Sequence, residues 1–152
     1  MIIKNIFFGL IETLIRNISG PLGLLLRSIY YKIRLKKCGK NLKVSIGVKI
    51  INPEQVQVGD NVWLDNFVLI IAGNHKLTGN KKEIFFTNDN FKLKQGDVKI
   101  GNYIHIAPYC ILNGFGAGIH IKDDSTLAAA VKIYSATNTY KDRSISKKKK
   151  IF

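Results

Sequence analysis

Three histidines, His75, His105 and His120, are the side chains whose ordinary pKa lies nearest neutral pH. Each could take a proton as a general base. They are widely separated along the chain, so no two are close in sequence as zinc ligands often are. Cys38 and Cys110 lack the CxxC spacing of a metal site and fall at aliphatic positions of a repeat. They read as reduced core residues of a cytosolic chain, and no metal is expected. His75 reads as a solvated loop residue, and His105 as an exposed turn residue at a corner. His120 is set apart by its interval to Asn138.

That interval has structural meaning. In "IKDDSTLAAAVKIYSATN", aliphatic residues recur every sixth position at Ile121, Leu127 and Ile133, and Ser125, Val131 and Thr137 follow each by four. Neither a helix nor an ordinary strand repeats at six. The same phase runs through Cys38, Val44 and Ile50, then Val58, Leu64 and Ile70, then Ile100 and Ile106. Fifth positions hold Leu42, Val48, Val62, Val68, Ile104 and Cys110. "INPEQVQV" and "NGFGAG" each add a few residues to the phase. Hexads of this kind predict an all-β fold, a parallel β-helix in which three hexads close one triangular coil. Coils stack one strand spacing apart, and no coil can bury its inner face alone. His120 and Asn138 are three hexads apart with no insertion between them, so they share a corner of successive coils.

The repeat occupies 37–142, interrupted by a polar loop at about 74–97 that reads as a hairpin arm with "EIFF" and "FKLK" as strands. A basic tail, 143–152, ends it. The stop after Asn138 reads as truncation more readily than as a natural short form, because the last coil would present an open strand edge. Residues 1–36 form two amphipathic patterns around the Gly20-Pro21 breaker. Met1 to Ser19 puts Ile3, Ile6, Phe7, Leu10, Leu14 and Ile18 on one face; the second puts Leu22, Leu25, Leu26, Ile29, Tyr30 and Ile33 on another. Neither reaches the roughly 18 apolar residues of a spanning helix, and no signal-type cleavage site appears. Two readings stand side by side: a hairpin lying on the cytosolic face of a membrane, or helices packed on the domain or a neighbouring subunit.

Lys plus Arg number 24 against 10 acids, a net charge of +14. Such an excess suits a polyanionic partner. Basic residues cluster at Arg27, Lys32, Arg34, Lys36, Lys37, Lys40 and Lys43, and again at Lys147 to Lys150, flanking the repeat. No nucleic-acid motif appears, and no nucleic-acid partner is expected.

The segments "CGKNLKVSIGVKIINPEQVQVGDNVWL", "GNYIHIAPYCILNGFGAG" and "IKDDSTLAAAVKIYSATN" resemble the hexapeptide-repeat acyltransferases, nearest to O-acetyltransferases acting on sugars and on bacterial surface polysaccharides. The resemblance implies a left-handed helix, against the usual right-handed crossover rule. It implies a homotrimer with sites between subunits, acetyl-CoA as co-substrate and a sugar or glycan acceptor. It also implies a cytoplasmic chain, peripheral on the membrane's inner face if its N-terminal helices touch lipid. A family histidine follows a strand of the form "VxIYSxxH"; here that position holds Asn138, and an amide is no base at neutral pH. His120, one coil below, is the candidate substitute, alone or lining an acceptor pocket with Asn138. Asn113, Trp63 and His105 are candidate acceptor-binding residues. Trp63 could stack on a sugar, although packing on the N-terminal helices is the favoured reading. Ala129, Ala130 and Ser135 are candidates for the CoA groove, and Lys76, Lys81 and Lys82 for its phosphates. Asp123, Asp124, Asp65 and Asn66 read as turn residues. The alternative function is a catalytically inactive β-helix that binds membrane or partner subunits.

Overall fold

A computed structural model describes residues 2–73 and 96–135, with side chains from residue 6 onward. The loop from His75, the lysines at 76, 81 and 82, Asn138 and the basic tail with Lys147 to Lys150 lie outside the described residues.

Among the described residues, twelve short strands form three parallel sheets. Strands β1 (Lys37–Cys38), β4 (Val56–Val58), β7 (Val98–Ile100) and β10 (Ile119–Ile121) make the first sheet. The second contains β2 (Lys43–Val44), β5 (Val62–Leu64), β8 (Ile104–Ile106) and β11 (Thr126–Leu127); the third contains β3 (Lys49–Ile51), β6 (Leu69–Ile71), β9 (Ile111–Asn113) and β12 (Lys132–Tyr134). Every third strand therefore returns to the same sheet, and the described chain winds through four coils of a left-handed triangular prism.

The hexad positions face inward as expected. Val44, Leu64, Ile70, Ile106 and Leu112 are fully buried, and so are the fifth positions Val48, Val68 and Cys110. Both cysteines are free thiols, and the Cys110 Sγ donates to the Ala128 carbonyl. The extra residues sit at corners. Pro53–Gln55 forms a short 3-10 turn between β3 and β4, so corner partners of the first two coils lie 20 residues apart, as Lys40 and Asp60 do. Asn102 and Asp123 lie 21 apart across the "NGFGAG" addition.

One corner is a polar ladder. Asp60 Oδ1 accepts from the Lys40 amide at 2.6 Å, Asn102 Oδ1 from the Asp60 amide at 2.8 Å, and Asp123 Oδ1 from the Asn102 amide at 2.9 Å. Asn41, Asn61, Tyr103 and Asp124 take left-handed backbone there. Gly101 must be glycine because a Cβ would run into Asp123 Oδ1 of the next coil. Asp123 and Asp124 are thus turn residues, as expected.

Two helices cover the first coil: α1 (Ile2–Ile15) and α2 (Gly20–Arg34). The helices pack mainly through residues outside the apolar stripes read in the sequence. Phe8, Ile11 and Ile15 contact the core, whereas Ile6, Phe7, Leu10 and Leu14 are exposed. In α2 the buried residues are Gly23, Arg27, Tyr30 and Tyr31, whereas Leu22, Leu25, Ile29 and Ile33 are exposed. The reason is the prism's end. A first coil presents open backbone groups, and polar side chains must satisfy them. Ser28 Oγ accepts from the Val44 amide, Tyr31 Oη accepts from the Ile50 amide, and Arg27 Nε donates to the Val44 carbonyl. Arg27 is accordingly buried and structural, a correction to its place in the basic cluster read as suiting a polyanionic partner.

Candidate functional site

On the first two sheets the middle side chain of each three-residue strand faces out, so one column of residues runs up the centre of each of those faces. On the third sheet the middle residues Ile50, Ile70 and Leu112 face in. On the first sheet the column is Lys37, Gln57, Lys99 and His120, each paired with the next. On the second it is Lys43, Trp63, His105 and Thr126. His105 and His120 therefore lie at mid-strand, not at corners. A corner needs left-handed backbone, and Asn, Asp, Tyr, Phe and Ala fill those positions instead.

His120 lies in a groove of about 610 Å³ whose walls include Lys37, Lys99, Lys122, Asn102 and Asp123. Partial burial, then the charges of Lys99 and Lys122, push the imidazole pKa down, and Asp123 only partly opposes them. The neutral ring, the form that can accept a proton, is favoured at neutral pH. The same lysines make the groove attractive to anions. Among the described residues no group of three or more His, Cys, Asp or Glu side chains could hold a metal.

The second face holds a different cluster. Trp63 and His105 stack with ring centroids 4.7 Å apart and an angle of 26°. The indole Nε1 donates to Ser45 Oγ at 2.9 Å, and His105 Nε2 lies 3.3 Å from Asp65 Oδ2. Trp63 thus packs against its own sheet rather than on the helices, because α2 reaches the prism one coil lower, at β2. It keeps 42% of its surface exposed. Asp65 also accepts from the Asn66 amide, so it combines a turn role with its contact to His105. A cavity of about 330 Å³ adjoins Trp63, bordered by Lys43 and by Asn41 and Asn61.

The remaining candidates sit elsewhere. Asn113 ends β9 on the third sheet, and its Oδ1 accepts from the Phe115 amide at 3.1 Å. The Ser135 amide donates to the Asn113 carbonyl at 3.0 Å, and its hydroxyl donates to the Phe115 carbonyl at 2.9 Å. Ala129 and Ala130 occupy the turn between β11 and β12, where Ala130 is left-handed at φ 61°. One prism therefore brings together Trp63 with His105, and Asn113 with Ser135, but joins neither pair to His120.

Sequence reasoning missed Lys99 and Lys122 beside His120, and Asp65 as the partner of His105. The signal was available in the coil arithmetic: Lys99 precedes His120 by one coil and pairs with it in register.

Over 105 residues the chain is 28% identical to the dTDP-4-amino-4,6-dideoxy-D-glucose acyltransferase of Escherichia coli. The match covers 69% of this chain and 43% of that enzyme, so the chain spans less than half of its relative's length. No family model matches the chain, and no solved structure does. The chain is a left-handed parallel β-helix of hexapeptide coils, similar over its matched residues to that sugar acyltransferase.

Proposed function

We propose that this chain transfers an acetyl group from acetyl-CoA to a sugar hydroxyl, the sugar being a building block of a bacterial surface polysaccharide. The observation that carries this reading is His120, held neutral in a groove lined by lysines. His120 takes the hydroxyl proton, and the sugar oxygen attacks the thioester carbonyl. The tetrahedral intermediate collapses, the C–S bond breaks, and the leaving CoA sulfur takes the proton back from the imidazolium. Lys99 and Lys122 favour the phosphates of CoA or of an activated sugar. The reading includes a homotrimer, because the candidates lie on different faces of one prism. A second prism against the first sheet would set another chain's residues opposite His120. Trp63 then offers an aromatic platform for a sugar ring on the second face.

The relative's name specifies an amino sugar linked to dTDP, so the acceptor panel includes nucleotide-linked sugars with and without a free amine. The test follows CoA thiol release with acetyl-CoA and each acceptor. Sugar-dependent release that falls by about 10²-fold or more in His120→Ala supports the proposal. Release unchanged in that variant removes His120 from the chemistry. A second reading is favoured by Asn138, which stands where the resemblance implies the base. It is a β-helix that binds without turning over, and acetyl-CoA binding by calorimetry with no release for any acceptor would select it.

A further inference from the structure

We propose that the outward face of the α1–α2 pair seats on an anionic phospholipid surface. Leu10 and Leu14 of α1, and Leu22, Leu25, Ile29 and Ile33 of α2, are between 49% and 74% exposed. Leu25, Ile29 and Ile33 recur four apart, which places them on one side of α2. This is an organised apolar stripe, not scattered surface aliphatics, and a folded chain rarely leaves such a surface in water. The opposite sides of both helices are already committed to the first coil through Phe8, Ile11, Ile15, Arg27 and Tyr31.

The charge around the stripe selects the occupant. Residues 1–43 carry nine Lys or Arg and one acid, Glu12. Lys32 lies beside the stripe one turn beyond Ser28, and Lys32, Lys37, Lys40 and Lys43 are exposed, while Lys36 pairs with Asp97 at 2.9 Å. An apolar stripe flanked by lysines matches the boundary between acyl chains and anionic headgroups. A second copy of this chain fits less well, since a two-fold pairing of this face would set the same lysines against one another. Among the described residues no helix is long and apolar enough to cross a membrane, and the contact is therefore lateral.

Co-sedimentation of the full chain with phosphatidylcholine vesicles, and with vesicles containing equal parts of phosphatidylglycerol, tests this. Binding to the anionic vesicles, weakened by added salt, is expected. Leu25→Glu with Ile29→Glu should lower the vesicle affinity by about tenfold or more. Lys32→Gln should lower it only on anionic vesicles, by about fivefold. The far-ultraviolet circular dichroism of each variant checks folding, and Lys32→Gln carries the test if the double variant fails to fold. No sedimentation with either lipid overturns the proposal. So does an assembly in lipid-free buffer that Leu25→Glu with Ile29→Glu dissolves while vesicle binding stays unchanged, because the stripe is then an interface between copies.

Discussion

Arg27 Nε donates to the Val44 carbonyl at 3.0 Å, while its Nη1 donates to the Ile18 carbonyl at 2.7 Å and the Ile15 carbonyl at 3.1 Å. One guanidinium thus closes the C-terminus of α1 and the open edge of the first coil together. Burial lowers its pKa, yet arginine stays protonated. Arg27→Met keeps the length and removes the donor to four carbonyls, those of Val44, Ile15, Arg16 and Ile18, of which Ile15 and Arg16 keep a backbone donor. It should cost about 3 kcal/mol or more, read as a lower urea midpoint. Arg27→Lys should recover only part of the loss, because an ammonium cannot reproduce the planar fork.

How much of this was legible can be judged residue by residue. The inward hexad residues were readable because the core of a β-helix selects aliphatic side chains at fixed intervals, and each coil repeats that selection. Arg27 was not readable. Its sequence context is a basic amphipathic pattern, and only the open edge at Val44 explains its burial. The same edge decides which side of each helix packs and leaves most of both apolar stripes outward. His120 was singled out by counting coils, but Lys99 was overlooked because residues between repeat positions look like ordinary solvated lysines until register pairs them. Trp63 was misplaced for a related reason: its stacking partner, His105, comes from the next coil, on the far side of the polar loop.

Tyr31 makes the second contact between α2 and the open edge. Its hydroxyl accepts from the Ile50 amide at 3.2 Å and lies 3.2 Å from Glu12 Oε1. Burial is the main cause of its raised pKa, so the phenol stays protonated. Tyr31→Phe keeps the ring and strands the Ile50 amide. A loss of about 1–3 kcal/mol is expected, smaller than the roughly 2–5 kcal/mol of a core truncation such as Leu64→Ala. Paired denaturation curves check the ranking; a Tyr31→Phe protein as stable as wild type would show that water replaces the hydroxyl.

The corner ladder gives a pH signature. Asn102 donates to Asp123 from its backbone and its side chain, and these bonds hold the Asp123 carboxyl below its ordinary pKa. A lowered native pKa means that the stabilisation is present above the ordinary carboxylate range and is lost as pH falls through the native value. Asn102→Ala removes the side-chain bond to Asp123 and the acceptor for the Asp60 amide. The variant should be less stable than wild type at neutral pH, and the gap should narrow on acidification. Denaturant midpoints across an acid series measure it. A gap that is constant with pH would assign the whole effect to Asp60.

The last prediction concerns the electrostatics of His120. Burial is the first cause of its lowered pKa, followed by Lys99 and Lys122. If the neutral ring is the base, turnover rises as pH increases through that pKa and then levels off. Lys99→Gln removes a positive charge from the neighbouring position of the same column. The imidazolium then becomes easier to form, the His120 pKa rises, and the acid limb of the kcat/KM profile should move to higher pH. Lys122→Gln should move it the same way by less, in line with its smaller effect. Asp123→Asn should move it the opposite way, because Asp123 raises the pKa. Loss of a phosphate contact alone would lower kcat/KM at every pH without moving the limb. The direction of the shift therefore separates a lysine that tunes the base from one that only binds an anion.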